Sequence, residues 1–384
     1  MRVVVIGCGF HGRGVAYELA AAPEVQSVVV VDKERAKAEA VAQKIRADWV
    51  QLEVQDTHSL SQALQGADLV FNAIGPYHYR RNALCVVEAA LAAGVQYVDM
   101  NDDHEVAETL LLEPKWDRHA SEVGIAMITG TGIAPGVTGM LAKLGYERMD
   151  HPRTIDVRFS WNYSLSYPAA LHHFFRLNSG DAPQYIEGEY VRPGAFSGRE
   201  RCTFLPPVGE KEIFYTGIND PVSISCSLPG LERVTARGAY HQSAANELLQ
   251  SMVRWGFTSY ESIPGSTESP FEFLMKYVSS DAGREYFDIP MENTPMAARV
   301  EVAGSHHGAP MRLVFEVQDF SRRATTSASA RVALMLIRGE IAFSGMRAPE
   351  GCVDATAFLQ GLAKHPDIKL FAWREGEQPA QLEF

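Results

Sequence analysis

The first third of the chain alternates β-branched runs with alanine-rich stretches, and this alternation constrains the fold more than any other feature. Short apolar runs occupy residues 3–6, 27–31, 50–54, 69–73, 97–100 and 125–128, and stretches of helical composition lie between them at 12–22, 35–45, 60–64, 82–93 and 106–122. Strands that are apolar throughout are typical of a parallel sheet covered by helices on both faces. The pattern predicts an α/β domain over residues 1–130, with a doubly wound, Rossmann-type sheet of six strands and right-handed crossovers.

The pattern changes after residue 149. Strand-like runs at 154–161, 213–215 and 311–317 are interrupted by Pro and Gly, which favours an antiparallel α+β domain, and an amphipathic helical pattern returns at 327–338. A chain of 384 residues also exceeds the ~250–300 residues at which one core usually stops growing. We therefore expect a nucleotide-binding domain at 1–130, an inserted α+β domain at 131–326, and a C-terminal helical segment at 327–384 that packs back on the first domain.

Composition excludes several classes of partner. The formal net charge of -12, with no basic block, disfavours nucleic acid. The five cysteines are scattered without a Cys-x-x-Cys pair, so we expect neither a disulfide framework nor a zinc site, and a reducing cytoplasm. No apolar stretch approaches the ~20 residues that span a bilayer, so we expect no membrane association.

A glycine-rich turn closes the first predicted strand. Gly7, Gly9 and Gly12 form the pattern G-x-G-x-x-G, in which the glycines allow a tight turn, a close approach of pyrophosphate to the backbone, and close helix–strand packing. Asp32 follows Gly12 by 20 positions at the end of the second strand, where a carboxylate accepts hydrogen bonds from ribose hydroxyls. This combination predicts a dinucleotide cofactor, NAD or NADP.

The residues around Asp32 bear on which dinucleotide binds. The Asp32 carboxylate disfavours a 2′-phosphate and therefore favours NAD, but Lys33 and Arg35 offer charges that would neutralise such a phosphate, so NADP stays an alternative. In the other interpretation, Lys33, Arg35 and Lys37 form an ordinary solvated helix face.

Two further loops follow predicted strands at the edge where ligands of doubly wound sheets bind. In the first, Gly75 and Pro76 come soon after the fourth strand and are suited to form a wall beneath the nicotinamide. The second, residues 97–105, is acidic, and Asp102 and Asp103 are candidates both for ligand binding and for capping a helix.

Motifs along most of the chain resemble the saccharopine dehydrogenase family, and among its branches the bacterial lysine 6-dehydrogenases. They are the glycine turn with Asp32, Val54-Gln55-Asp56, Gly94-Val95-Gln96-Tyr97-Val98-Asp99, Gly132-Ile133-Ala134-Pro135-Gly136-Val137-Thr138-Gly139, and Ser160-Trp161 with Val234-Thr235-Ala236-Arg237-Gly238-Ala239-Tyr240-His241. The chain departs from the family pattern at Gly139, where Asn is usual, and at 237–241, where Arg-Tyr-Pro-Gly-His is common.

The resemblance implies reversible, NAD(P)-dependent oxidation of a C–N bond in an amino acid or its N-substituted derivative, such as the oxidative deamination of lysine. It also implies a homodimer in which the α+β domain binds substrate and supports dimerisation. Two alternatives stay open: a saccharopine-type reductase that condenses an amino acid with an aldehyde or keto acid, and a non-catalytic dinucleotide-binding sensor or assembly partner.

Amine oxidation by hydride transfer requires a neutral nitrogen, whereas an alkyl ammonium with a pKa near ~10.4 is protonated at neutral pH. A general base is therefore needed, and Asp99 and His241 are the candidates. Arg237 is the candidate for gripping a substrate carboxylate, although an arginine on a strand also commonly makes a structural ion pair. Likewise, His241 and Trp161 have an alternative role as buried structural residues.

The predicted site comprises three groups. The catalytic candidates are Asp99 and His241, and the substrate-binding candidates are Arg237, Tyr77, Asp102 and Trp161. The cofactor-binding candidates are Gly7, Gly9, Phe10, His11, Gly12, Asp32, Lys33, Asp56, Ala73, Gly75 and Pro76. No metal is predicted, because the pairs His172-His173 and His306-His307 lack helical i, i+4 spacing and an accompanying carboxylate pattern.

Overall fold

A computed structural model of the chain describes residues 1–74, 79–162, 168–287 and 294–384. Its strands are β1 (Arg2–Ile6), β2 (Ser27–Asp32), β3 (Asp48–Gln51), β4 (Leu69–Asn72), β5 (Gln96–Asp99), β6 (Ala126–Ile128), β7 (His151–Trp161), β8 (Gln184–Ile186), β9 (Glu189–Val191), β10 (Glu200–Thr203), β11 (Glu210–Tyr215), β12 (Arg233–Tyr240), β13 (Met296–His306), β14 (Ala309–Asp319), β15 (Gly345–Arg347), β16 (Ile368–Arg374) and β17 (Ala380–Gln381).

The helices lie between these strands. They are α1 (Phe10–Ala20), α2 (Arg35–Ile45), α3 (Thr57–Leu64), α4 (Tyr79–Ala93), α5 (His104–Ala107), α6 (Pro114–Val123), α7 (Thr138–Tyr146), α8 (Pro168–Leu177), α9 (Asp220–Ser227), α10 (Ser243–Arg254), α11 (Pro270–Ser279), α12 (Asp281–Phe287), α13 (Ala324–Ile337) and α14 (Ala355–Leu362). None of the described helices is both long and apolar enough to cross a bilayer.

The first sheet is parallel throughout and has the order β15-β6-β5-β4-β1-β2-β3 in the described residues. The predicted fold class, a Rossmann-type doubly wound sheet joined to an α+β domain, is confirmed. The expectation of six strands was wrong by one, because β15 comes from residues 345–347 and pairs with β6. Three residues far along the chain carry too short a pattern to be recognised as part of this sheet.

The second sheet contains ten strands in the described residues, with the main order β10-β11-β12-β7-β13-β14-β16-β17. Most neighbours are antiparallel, as expected, but β7 and β12 pair in parallel from Thr154↔Arg233 to Trp161↔Tyr240. A parallel pair needs a long crossover, and the connection between these two strands includes α8, several short strands and α9.

The C-terminal segment contributes to both sheets rather than forming helices alone. Besides α13 and α14, residues 327–384 contain β15 of the first sheet and β16 and β17 of the second. Helix α13 packs against α1, where a side chain at Gly14 would lie 2.6 Å from Thr326 Cγ2. A glycine on α1 therefore lets the two helices approach closely.

One apolar core joins the two sheets. Val5 and Phe71 of the first sheet share a cluster with Val157 and Val300 of the second, whereas alternate residues such as Val4 pack into a separate cluster on the other face of the first sheet. Burial on both faces explains why the strands of the first sheet are apolar throughout.

Candidate functional site

The candidate site lies at the carboxyl edge of the first sheet, where the loops after β1, β2, β5 and β6 meet. Within the glycine turn, Gly7 has a φ of 99°, and a side chain there would lie 2.6 Å from the Ala73 carbonyl oxygen. Gly12 packs against the Gly7 carbonyl. By contrast, a side chain at Gly9 would meet no described atom within 4 Å. The turn is therefore closed on its protein side and open at Gly9, as pyrophosphate binding requires.

Helix α1 starts at this turn, with Gly9 as its N-cap and no side chain capping it among the described residues. The uncapped amides of its first turn are available to a phosphate group, which the helix dipole also favours. Burial raises the pKa of the Cys8 thiol in this turn to about 12. The thiol therefore stays protonated and unreactive, and its role is to fill space in the turn.

Asp32 is fixed beside the turn. Its carboxylate accepts hydrogen bonds from the Cys8 amide at 2.7 Å and the Glu34 amide at 2.8 Å. This anchors the end of β2 to the glycine turn and holds the carboxylate where a ribose would lie. The residues fit a dinucleotide.

Arg35 and Lys37 have acidic partners on α2 and at its N-cap. Arg35 pairs with Glu39 at 2.9 Å and covers the Trp49 ring at 5.2 Å, and Lys37 pairs with Glu34 at 2.5 Å. These contacts support the interpretation of Arg35 and Lys37 as a solvated helix face. Lys33 is exposed, and its carbonyl accepts a hydrogen bond from Gln51.

Asp99 is buried at the end of β5, and its carboxylate already has four donors. It accepts hydrogen bonds from the Tyr97 hydroxyl at 2.7 Å, the Asn101 amide at 3.0 Å, the Gly130 amide at 2.8 Å and the Thr129 hydroxyl. Burial raises the pKa of Asp99, and these hydrogen bonds oppose the rise. With 1 % of the residue exposed, the geometry favours a structural role for Asp99, which connects the loops after β5 and β6, over acceptance of a substrate proton.

The acidic loop after β5 is neutralised by α8 of the second domain. His173 Nε2 lies 2.5 Å from Asp102 Oδ2, and Arg176 donates to Asp103 Oδ2 at 2.9 Å. Asp103 is the N-cap of α5, in agreement with the capping alternative. About a fifth of the Asp102 and His173 side chains is exposed, 19 % and 20 %, so this pair is open to a ligand whereas Asp103 is not.

The Asp102–His173 pair lies next to the glycine turn. Burial lowers the pKa of His11 to about 4, and the nearby His173 contributes to this shift. Burial also lowers the pKa of His173, but the charge of Asp102 and its hydrogen bond outweigh this effect and leave that pKa raised. The predicted cofactor site therefore holds a neutral imidazole at His11 and, at His173, one that is protonated more readily than usual.

Sequence reasoning missed His173 as a site residue. It considered the His172-His173 pair only as metal ligands, because nothing in the local pattern connects α8 with Asp102. The one available signal was an unusually acidic loop that needed basic partners. His11 was predicted, and its Nδ1 lies 3.3 Å from the Thr326 hydroxyl of α13.

Arg237 lies away from this edge. Its guanidinium is 3.4 Å from Glu200, donates to the Gly198 carbonyl at 2.9 Å, and lies over the Tyr215 ring at 3.9 Å. Because side chains alternate along β12, Arg237 and Tyr240 lie on opposite faces, and the Tyr240 ring packs on Phe174 of α8 at 4.3 Å. These contacts favour the structural ion pair for Arg237.

Trp161 ends β7, and His241 directly follows β12 beside it. Trp161 is 4 % exposed and packs between Phe159 and Tyr240, at 4.4 and 5.2 Å between ring centroids. The His241 amide donates to the Trp161 carbonyl at 2.7 Å, and its buried ring is 3.4 Å from Lys211 Nζ. This arrangement favours the structural alternatives for both residues.

The remaining predicted residues differ in their surroundings. Phe10 is 47 % exposed beside His11. Asp56 caps α3 by accepting from the Ser59 amide at 3.1 Å, which engages its carboxylate away from the turn. The Ala73 amide donates to Ile6 at 2.8 Å behind Gly7. Gly75, Pro76 and Tyr77 lie outside the described residues.

Two carboxyl groups, those of Asp220 and Glu350, are buried against helix α7. Asp220 at the start of α9 accepts a hydrogen bond from Thr138 of α7, and burial raises its pKa to about 7. Burial also raises the pKa of Glu350. A side chain at Gly139 would lie 2.5 Å from Glu350 Oε2, so the departure from the family's Asn makes room for this carboxyl group.

Comparison with known proteins agrees with this geometry. Residues 3–127 match the family described as saccharopine dehydrogenase NADP binding domain. This part of the chain is therefore similar to the cofactor-binding domain of that family. Over 293 residues, 71 % of this chain and 71 % of the other, the sequence is 28 % identical to carboxyaminopropylagmatine dehydrogenase from Synechocystis sp.. That relative differs from the lysine 6-dehydrogenase branch that the motifs suggested.

Two solved structures share the fold. A saccharopine dehydrogenase (L-Glu forming) from Saccharomyces cerevisiae superposes with a TM-score of 0.70 at 14 % identity, covering 97 % of this chain and 99 % of that one. The homospermidine synthase of Legionella pneumophila, solved in complex with NAD, gives a TM-score of 0.63 at 14 % identity, covering 97 % and 91 %. At such identities the likeness extends to the fold alone.

Proposed function

We propose that the protein is an NAD(P)-dependent oxidoreductase that oxidises a C–N bond in an amino acid or an amine derived from one. The observation that carries the proposal is the glycine turn, open at Gly9 and flanked by the fixed Asp32 carboxylate, at the same edge as the partly exposed Asp102–His173 pair. A cofactor site and a titratable pair in one crevice support catalysis rather than sensing alone.

In this proposal the protein prepares the substrate nitrogen. A dinucleotide held at the glycine turn and Asp32 would supply the acceptor for a hydride from the carbon attached to that nitrogen. His173 takes the ammonium proton, and Asp102 orients its ring and stabilises the imidazolium. Loss of the proton frees the lone pair that forms the C=N bond as the hydride leaves. Water then adds to the imine, and the C–N bond breaks to release ammonia or an amine.

The substrate decides between the two enzymatic hypotheses. Oxidative deamination of lysine or another primary amine releases ammonia, whereas oxidation of a saccharopine-type secondary amine releases an amino acid or amine instead. The Synechocystis relative favours the second hypothesis, because its name describes a substituted agmatine. The acidic Asp102 side chain at the crevice suits a cationic substrate of either kind.

A panel assay tests the proposal. The protein would be incubated with NAD or NADP and with lysine, ornithine, diamines, saccharopine and carboxyaminopropylagmatine, while reduced cofactor and ammonia are measured. We expect cofactor reduction with at least one amine, with or without ammonia. Tight dinucleotide binding without turnover of any amine would instead favour the sensor hypothesis.

Three further expectations belong to this proposal. NAD is the expected cofactor, because hydrogen bonds hold the Asp32 carboxylate in place and acidic neighbours pair with Arg35 and Lys37. A lower KM for NADP than for NAD would contradict this. A homodimer in the cytoplasm is also expected, and light scattering of the purified protein would measure its mass.

A further inference from the structure

The hairpin between β13 and β14 carries two adjacent histidines at its tip. His307 and Gly308 have φ values of 50° and 75°, which form the two-residue turn between His306 and Ala309. In an extended strand, neighbouring side chains would point to opposite faces. Here the turn brings the two imidazole rings to 3.9 Å between centroids.

A carboxylate from a different part of the chain completes this group. Asp150, just before β7, donates its amide to the Ser305 carbonyl at 3.1 Å and accepts from the His307 amide at 2.6 Å. One bond from its backbone and one to its carboxylate Oδ2 thus fix Asp150 against the hairpin tip. Its two oxygens lie 3.3 Å from His306 Nδ1 and 3.8 Å from His307 Nδ1.

The donor atoms are spaced for a metal ion. The ligand atoms of Asp150, His306 and His307 all lie within 4.8 Å of one another. Two donors bound to one tetrahedral ion at ~2.1 Å are roughly 3.4 Å apart, close to the 3.3 Å between His306 Nδ1 and Asp150 Oδ1. His306 Nδ1 is also shielded from solvent and has no hydrogen-bond partner in the described structure. A buried ring nitrogen facing a carboxylate without a hydrogen bond is satisfied if a metal ion lies between them.

We propose that Asp150, His306 and His307 bind a divalent transition-metal ion such as Zn²⁺, with water completing its coordination. Two imidazoles and a carboxylate are ligands that zinc prefers. Both histidines line an open cleft of about 350 Å³ with Met311 and Arg312, which leaves room for the water. The ion would join the start of β7 to the hairpin tip.

This site is separate from the proposed catalytic crevice. Asp150 precedes the first residue of β7, whereas Trp161 and its aromatic neighbours lie at the other end of this 11-residue strand. An extended strand of that length spans roughly 35 Å. The metal site is therefore structural, and its failure would leave the proposed oxidoreductase activity untouched.

Calorimetric titration with Zn²⁺ tests the site, using the full chain freed of any affinity tag and treated with a chelator. We expect one Zn²⁺ per chain, with affinity falling at least ~10-fold in His306→Ala and in Asp150→Asn. His119→Ala, which removes an exposed histidine from α6, is the matched control and should bind like the wild type.

Thermal unfolding with and without Zn²⁺ provides a second readout and a check of folding. A ligand that binds only the folded state raises Tm, so Zn²⁺ should raise Tm in the wild type and in His119→Ala but not in His306→Ala. Melting curves of the metal-free variants would establish that they fold. Equal Zn²⁺ affinity in wild type and folded His306→Ala, or a loss of affinity in His119→Ala, would overturn the proposal.

Discussion

At Gly9, adding a side chain should weaken cofactor binding without destabilising the fold. We expect Gly9→Val to weaken dinucleotide binding at least ~10-fold, because a branched side chain would occupy the space that pyrophosphate needs. Its Tm should stay close to that of the wild type, since an added Cβ meets nothing within 4 Å. Titration calorimetry with the preferred dinucleotide measures the first effect and thermal unfolding the second.

A matched control for this variant exists in the second domain. Gly194 also has a φ outside the left-handed region and open space around an added Cβ, but it lies far along the chain from the turn. Gly194→Val should bind dinucleotide normally. Unimpaired binding by Gly9→Val would mean that pyrophosphate does not lie against this turn.

The Asp102–His173 pair predicts a specific change in the pH profile of amine oxidation. In the proposed mechanism, oxidation requires unprotonated His173, so activity should rise with pH through the raised pKa of this histidine. Asp102→Asn removes the charge that raises this pKa, and the acid limb of kcat/KM should therefore move to lower pH. His173→Gln should lower kcat by roughly 10²–10⁴-fold, the usual contribution of general base catalysis.

Both variants need a readout that distinguishes catalysis from folding, and dinucleotide affinity serves for that purpose. A folded His173→Gln protein with normal dinucleotide binding and unchanged kcat would return the role of base to Asp99 or His241. An acid limb that stays at its wild-type position in Asp102→Asn would have the same meaning.

At the scale of elements, the contact between α1 and α13 connects the glycine turn to the C-terminal part of the chain. A Cβ at Gly14 would lie 2.6 Å from Thr326 Cγ2, and the Thr326 hydroxyl is near His11. We expect Gly14→Ala to destabilise the protein by about 1–3 kcal/mol, because overpacking forces the helices apart. Urea unfolding would measure the loss.

A double variant tests whether this contact is the cause. Thr326→Ser removes the clashing methyl group but keeps the hydroxyl beside His11. In the Gly14→Ala/Thr326→Ser protein, we expect most of the lost stability to return, so that the two substitutions couple strongly. If the stability changes of the two single variants simply add in the double variant, the contact between Gly14 and Thr326 is not the cause of the destabilisation.

At the scale of the whole molecule, Asp220 makes stability depend on pH. Below pH ~4 this carboxyl group is protonated in both the folded and the unfolded chain. As the pH rises from there to about 7, only the unfolded chain ionises it, and the stability that this group contributes is progressively lost. Asp220→Asn, which can still accept from Thr138, should therefore gain stability relative to wild type by up to roughly 1.4 kcal/mol per pH unit across this window.

Chemical unfolding at several pH values between 4 and 8 measures this difference. Glu122→Gln, which removes an exposed carboxyl group from α6, is the control for the loss of a buried one. Parallel stability curves for wild type and Asp220→Asn would mean that Asp220 ionises inside the folded protein as readily as in water.

The cofactor domain could be predicted from the chain pattern alone. Near-continuous apolar strands, the spacing of Gly7, Gly9 and Gly12, and Asp32 at the end of β2 are local signals, because each depends on residues that are close along the chain. The general class of fold and cofactor followed from them. The strand β15 escaped notice because three residues of pattern are too few to distinguish a strand from a loop.

The contacts between polar side chains, by contrast, became known only from the folded structure. His173 pairs with Asp102, Glu350 fills the space at Gly139, and Asp150 faces His306, although each pair is separated by at least 71 positions in the chain. The motifs favoured Arg237 and Asp99 as site residues, but their side chains already form hydrogen bonds with neighbours from other strands and loops. Hydrogen bonds and ion pairs act over a few ångströms in space. They could not be predicted because the local sequence pattern does not show which distant segments folding brings within that range.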